Sequence, residues 1–309
     1  MVTFDKLSTN RNIDLHTHTI HSDGYLTPEE LVQKAKEANL AAIAVADHEN
    51  TDGIDPAIKV GKKLGIEIVP AVEITSHPDP ETEHHILGYF IDHKNTKLQK
   101  VLSEIRESRE ERAKKVIKNL NDLGYYINFG DVKATAKGTI VAPHIAFSII
   151  QDRESHAKLK KEFGHIPDTG EFIRKYLVPG AQAYESRKTL TPKESIDLIH
   201  HSGGIAVLAH PCWTAVTKKN EKLVFDDRKL RDVVDLGVEG IEALAHRENE
   251  KDTKICVEHF EKLAKKYKLV VTGGSDFHGF GSAGKDIGFR NFYLKVPYSI
   301  LEELKKRAR

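Results

Sequence analysis

Short apolar runs alternate with longer amphipathic segments over most of the chain. NIDLHT reads as a strand that ends at its histidines. TPEELVQKAKEANL follows as a helix, with Thr27 at the N-cap, Pro28 at the first helical position and Glu30 completing a capping box. AAIAVADHENTDG reads as a strand running into a polar turn, IDPAIKVGKKLG as a helix, and IEIVPAVEIT and HHILGYFI as two further strands. The alternation resumes near the other end. LTPKESIDLIHHSG is a helix capped by Thr191 and stopped by Gly203, GGIAVLAHP is a strand, and RKLRDVVDLGV, VEGIEAL, the helix around DTKICVEHFEKLAKKYK and the strand LVVTGGSD continue the pattern. Such βα repetition predicts a parallel sheet, open or closed into a barrel.

Between residues 95 and 190 the pattern breaks. NTKLQKVLSEIRESREERAKKVIKNLNDLGY reads as one long helix with room for a bend. Its apolar positions are Leu98, Val101, Leu102, Ile105, Val116, Ile117 and Leu120, and the polar middle from Arg106 to Arg112 carries no core signal. PHIAFSIIQDR and DTGEFIRKYL read as shorter helices. The expected organisation is therefore an α/β scaffold over 1–94 and 191–309, interrupted by a helical insertion over 95–190.

Composition narrows the function classes. A net charge of +1 in 309 residues offers no overall basic field for duplex nucleic acid or an anionic membrane. The first residues, MVTFDKLSTNRN, lack the apolar core of a signal peptide, and no run is long enough to span a bilayer. Two cysteines far apart, Cys212 and Cys256, make no disulfide framework, so a reducing cytoplasm is the expected compartment.

The 17 histidines matter by position. His16 and His18 end a strand two residues apart, a spacing that points both side chains to one face, and Asp23 follows in the turn. Asp47 and His48 end the next strand and Glu73 the one after. His84 and His85 begin another strand and face opposite ways, so only one of them is inside. His210 ends GGIAVLAH, and Asp276 and His278 again sit at i, i+2 in VVTGGSDFH. Strands of a parallel α/β fold share one carboxyl edge, where ligands gather. Imidazoles and carboxylates without thiolates suit Zn, Mn or Fe, and nine candidates exceed one ion, which predicts two or three divalent metals with a bridging carboxylate. His21, His77, His93, His200 and His201 lack such placement and read as surface.

At these residues the chain resembles the PHP family, the polymerase and histidinol phosphatase superfamily. The likeness rests on HTH with Asp23, the DH of Asp47 and His48, Glu73, His85 in HHILGY, His210 in AHP, and Asp276 with His278 in GSDFHG. DLHTHTIHSDGYLTPEELV, ADHENTDGI, HILGYFID, PHIA and GIAVLAHP are similar to its stand-alone phosphoesterase branch, which includes nucleoside-monophosphate and 3′,5′-nucleotide bisphosphate phosphatases and enzymes that trim RNA from its 5′ end. The resemblance implies a distorted (β/α)7 TIM-like barrel with a helical insertion. It also implies three ions: one on His16, His18, Glu73 and Asp276, a second sharing Glu73 with His85 and His210, and a third on Asp23, His48 and His278. The branch usually carries an arginine before the proline of PHIA; Ala142 stands there, which removes one expected phosphate contact. His144 and Arg187 match its substrate-binding positions. Arg109 and Arg112 also match basic positions, but read more simply as a solvated helix face.

The implied chemistry is hydrolysis of a phosphomonoester by metal-activated water, on a small nucleotide or a short single-stranded oligonucleotide, with no membrane partner. Glu73 would act as the bridge, and Asp23, His278 or a water on the cluster would protonate the leaving group. Tyr184 and Trp213 are candidate stacking partners for a base, although an aromatic near a strand end is more often packing. Two other readings compete: an amidohydrolase, which shares the opening H-x-H but needs a bridging lysine not found at a mid-barrel strand end, and a non-catalytic metal-binding module, which would have lost ligands that are all present here.

Overall fold

The computed structural model describes residues 11–79, 82–279, 286–289 and 292–308. In chain order the elements are β1 (Ile13–Thr17), α1 (Pro28–Glu37), β2 (Ala42–Val45), α2 (Ile54–Leu64), β3 (Glu67–Asp79), β4 (Thr82–Tyr89), α3 (Thr96–Asp122), α4 (Phe129–Thr135), α5 (Ala142–Gln151), α6 (His156–Phe163) and α7 (Thr169–Tyr176). They continue with α8 (Pro192–His201), β5 (Ile205–Leu208), α9 (Pro211–Thr214), β6 (Val216–Lys219), β7 (Lys222–Phe225), α10 (Asp227–Asp235), β8 (Gly240–Leu244), α11 (Glu250–Tyr267), β9 (Val270–Gly273), a 3-10 turn (Ile287–Phe289) and α12 (Tyr298–Arg307). Two compact units result, one from the chain up to Gln99 with Leu190 onward, the other over Lys100–Thr189. No helix among the described residues is long and apolar enough to cross a membrane.

In the first unit seven strands form one sheet in the order β1-β2-β3-β4-β5-β8-β9. Strands β1, β2, β5 and β8 are buried throughout, as expected where both faces of a sheet are covered. The sheet is mostly parallel, with one departure from the expected all-parallel order: β4 runs antiparallel to both β3 and β5. The reason is local. β3 continues past Glu73 to Asp79 and the chain returns at once, with Asp79 Oδ1 accepting from the Thr82 amide at 2.8 Å. A reversal that short cannot carry the crossover a parallel neighbour needs.

The two end strands of this order approach each other. Thr17 bridges Phe277, just beyond β9, and the His18 amide donates to the Phe277 carbonyl at 2.9 Å. Among the described residues this bridge stands where a closed barrel would have a full ladder. Asp14 reinforces the junction. Its buried carboxylate accepts from the amides of His16, Ser275 and Gly288 and from the Ser275 hydroxyl. Burial still lifts its pKa to about 6 against those four bonds.

The core follows the strand period. Val69 and Ala71 of β3 and Leu87 and Tyr89 of β4 belong to one apolar cluster with Ile13, Leu15, Ala42, Ala44, Ile205 and Val207. Glu73 and His85 continue those same alternating faces toward the rim. Helices pack by apolar stripes: Leu31, Val32 and Ala35 of α1 are buried, the capping box expected at Thr27 is formed, and Thr191, expected as a cap, closes a box with Glu194 as well.

The second unit has its own core, in which Ala113, Val116, Leu120, Tyr125, Ile145, Ile149, Phe172 and Tyr176 are buried together. The helix expected with a possible bend is one continuous span of 27 residues. Its polar middle is not simply a solvated face. Arg109 is buried, and Arg112 donates from Nε to the Glu185 carbonyl at 2.7 Å. Long side chains bury their stems and reach distant carbonyls, which a hydropathy pattern does not register.

Candidate metal centre

The carboxyl edge of the first unit's sheet gathers all nine residues expected as ligands. Glu73 is the hub. Its Oε2 lies 3.3 Å from His16 Nε2, 3.4 Å from His18 Nε2 and 3.1 Å from His48 Nδ1. Its Oε1 lies 2.8 Å from His85 Nδ1 and 3.1 Å from His210 Nε2. Asp276 Oδ1 faces the first pair again, 3.5 Å from His16 Nε2 and 3.2 Å from His18 Nε2. Asp23 collects the rest: His278 Nε2 at 3.2 Å, His18 Nδ1 at 3.7 Å and His48 Nε2 at 3.9 Å. The reversal at β4 makes this possible, because it brings the beginning of that strand, with His85, to the edge where its neighbours end. His84 is buried on the opposite face of β4, as alternation requires.

Backbone geometry at the site is unusual. His210 and Asp276 have φ of 26° and 54°, a region that residues with a Cβ rarely occupy and that recurs at functional sites. Gly274 is required by contact: a Cβ there would stand 2.3 Å from the Cβ of His16.

The donor set fits divalent metal. His16 Nε2, His18 Nε2, Asp23 Oδ1 and Glu73 Oε2 are buried and make no hydrogen bond, a costly arrangement for a lone group in a dry site. Ligand atoms held roughly 2.0–2.2 Å from a tetrahedral ion sit about 3.3–3.6 Å from one another. The four distances among His16, His18, Glu73 and Asp276 lie between 3.2 and 3.5 Å. Three overlapping groups keep their ligand atoms within 4.8 Å: His16, His18 and Asp276; His48, Glu73 and His85; and His18, Asp23, His48 and His278. Tautomers agree with ligation. His278 Nδ1 is 2.7 Å from the Asp276 carbonyl, which only accepts, so Nδ1 carries a proton and Nε2 is the nitrogen turned toward Asp23, the one a cation would take.

Charge is shared tightly across the cluster. For Glu73, burial alone would raise the pKa, but His48, His16 and His85 overcome it and hold the carboxyl well below its ordinary range. Asp23 is likewise held down against burial, by His278 and His48. Burial would neutralise His16, yet Glu242 and Glu73 raise it well above an ordinary imidazole. His85 is pushed up to about 10, with Glu73 and Glu83 outweighing burial. His48 goes the other way, down to about 4, because burial outweighs Glu73 and Asp23. The protons held by His16 and His85 are the ones a cation would displace.

A cavity of about 260 Å³ opens on the cluster, lined by His48, Glu73, His85, His210, Trp213, Asp276 and His278.

A model of the PHP domain matches residues 14–158. A 5′-3′ exoribonuclease of Haemophilus influenzae is 30% identical over 290 residues, 93% of this chain and 98% of that one. The chain belongs to the PHP family. A 3′,5′-nucleoside bisphosphate phosphatase of Chromobacterium violaceum is 29% identical over 96% of this chain and 97% of its own. Among solved structures, a protein from Bifidobacterium adolescentis described as a metal-dependent phosphoesterase superposes with a TM-score of 0.77 at 26% identity, covering 96% of each chain.

Within this PHP chain some expected residues belong to the second unit, and other residues at the cluster were not foreseen. His144 is in the second unit, buried on α5, where its Nδ1 accepts from the Val141 amide at 3.2 Å. Arg187 and Tyr184 are in that unit too, after α7, and Tyr184 lies 5.6 Å from the Arg112 guanidinium. Glu242 was not foreseen. It faces His16 Nδ1 at 3.1 Å with both oxygens and accepts from the His210 amide at 2.8 Å. The signal was a lone carboxylate in the buried strand GIEAL. Asp47 was noted only as a strand-end acid. It accepts from Thr19 Oγ1 and Ser22 Oγ, each at 2.6 Å, and so shapes the loop that carries Asp23.

Proposed function

We propose that this PHP-family chain is a metal-dependent phosphoesterase that hydrolyses the phosphomonoester of a small nucleotide, a nucleoside monophosphate or 3′,5′-bisphosphate, or acts at the 5′ end of a short oligonucleotide. The observation that carries the reading is one buried carboxylate, Glu73, met by five imidazoles at 2.8–3.4 Å at the floor of an open cavity. A hub of that kind serves ions that need a shared ligand. The relatives, an exoribonuclease and a nucleoside bisphosphate phosphatase, point to nucleotide substrates.

His16, His18, Glu73 and Asp276 would hold one ion, Glu73 with His85 and His210 a second, and Asp23, His48 and His278 a third, with Mn, Zn or Fe as candidates. Bound there, divalent ions would acidify the attacking water and neutralise the non-bridging phosphate oxygens. The protein's own part is positional. Glu242 holds the Nδ1 proton of His16 and so aims Nε2 into the cluster. The Asp276 carbonyl does the same for His278. Asp23, His278 or a water would supply the proton to the leaving alkoxide, the first two in place of holding the third ion. His144 and Arg187 are proposed as phosphate contacts on the family likeness alone. The amidohydrolase alternative lacks its lysine: none lines the cavity among the described residues, and the bridge would fall to Glu73.

The deciding experiment is a phosphate-release screen, with added Mn, over nucleoside monophosphates, 3′,5′-bisphosphates, 5′-phosphorylated oligonucleotides and an N-acyl control. Asp276→Asn should lower kcat by roughly 100-fold or more, the scale of losing a preorganised electrostatic contact, with circular dichroism unchanged. Undiminished phosphate release by that variant would remove Asp276 from the chemistry, and turnover of the N-acyl control alone would replace the reading.

A further inference from the structure

Trp213 is the chain's one tryptophan, and the mechanism above gives it no task. It stands on α9, the single helical turn that follows His210, and its amide donates to the His210 carbonyl at 2.9 Å. An indole is the largest apolar side chain, and tryptophan is highly buried on average. This one remains 40% exposed and lines the same cavity as His210, Asp276 and His278.

The ring is also held in place. The Arg247 guanidinium lies 4.6 Å from its centre, within cation–π range. Arg247 is itself buried. Its Nη1 donates to the Cys212 carbonyl at 2.6 Å and its amide donates to Thr253 Oγ1 at 2.9 Å, which ties it to both flanking segments. The His246 ring meets the indole edge-on at 5.8 Å. A fixed aromatic with two-fifths of its surface open, one helical turn from a phosphoester site, has the form of a stacking platform. Stacking tolerates any base because every base offers a π face, and larger bases gain more.

We infer that Trp213, pinned by Arg247, is the surface on which the base of the substrate stacks, so that the pocket selects phosphomonoesters carrying an aromatic base, purines foremost, over bare sugar phosphates. The inference rests on the phosphoesterase reading and adds a specificity determinant to it. Arg247 acts through the indole and is a positioning residue.

The test compares adenosine 5′-monophosphate with ribose 5-phosphate on the Mn-loaded full chain, for wild type, Trp213→Ala and Trp213→Phe. The wild type should prefer the nucleotide. Trp213→Ala should lower the ratio of the two kcat/KM values by roughly 5- to 150-fold, the span of base–aromatic stacking, and Trp213→Phe should recover most of it. Because there is one indole, its fluorescence reports binding without turnover. The methylenephosphonate analogue of the nucleotide, whose P–C bond is not hydrolysed, should quench it, and the matching phosphonate without a base should not. Equal losses on both substrates, or equal quenching by both phosphonates, would overturn the platform. Phosphate release from neither substrate by the wild type would instead sink the phosphoesterase reading, and the fluorescence arm would still decide whether Trp213 meets a base.

Discussion

Glu242 shows how a single side chain can govern a site without standing in it. Its carboxylate faces the Nδ1 of His16 and the backbone of His210, so it sets the tautomer of one expected ligand and the position of another. A carboxylate behind a ligating histidine raises its basicity and fixes its ring, and losing such a partner typically weakens metal binding by roughly 10- to 100-fold. Glu242→Gln should therefore raise the metal dissociation constant by that factor, read by competition with a chromophoric chelator, while the secondary structure measured by circular dichroism is kept. Unchanged affinity would reduce Glu242 to a packing role. The expected ligands were legible because most of them adjoin an apolar run that forms a strand, although the i, i+2 strand spacing did not hold: β1 ends at Thr17, and Asp276 and His278 lie beyond β9, with Asp276 at φ 54°. Glu242 was not, because nothing adjacent in sequence says that a lone acid in GIEAL lies 226 positions from the histidine it orients.

At the scale of elements, helix ends were the clearest signals, and they are local by nature. Thr191 accepts from the Glu194 amide while the Glu194 side chain returns to the Thr191 amide, closing the box that the sequence spells. The helix it caps, α8, covers β4: a Cβ on Gly88 would come 2.8 Å from Ile199. Thr191→Ala should cost about 0.5–2 kcal/mol in urea denaturation, the usual loss for a cap, with no new contact to compensate. Other elements went unread for identifiable reasons. The β6–β7 hairpin turns through Asn220 and Glu221, both with positive φ, without the glycine that ordinarily marks such a turn. Helix α12 did carry its signal, in the i, i+3 spacing of the buried Tyr298, Leu301 and Leu304. The antiparallel course of β4 was invisible, since HHILGYFI reads alike in either direction.

At the scale of the molecule, the site is a store of buried charge that a cation would neutralise. Binding to the folded state alone stabilises it, by about 2.7 kcal/mol at a hundredfold excess over the dissociation constant. Dialysis against a chelator should lower the melting temperature, and Mn, Zn or Fe should restore it, followed by differential scanning calorimetry. No shift with any of the three would count against a metal centre. The sequence by itself determined the donors, the helix caps and the alternation of strand and helix, because each is written within a few neighbouring residues and obeys a local period. Only the tertiary structure decided that β4 turns back, that five imidazoles come within 3.4 Å of Glu73, that Glu242 backs His16, and that Trp213 opens on the same cavity. Those relations join residues distant in the chain, and they exist only once the burial of apolar faces has brought the strand ends together.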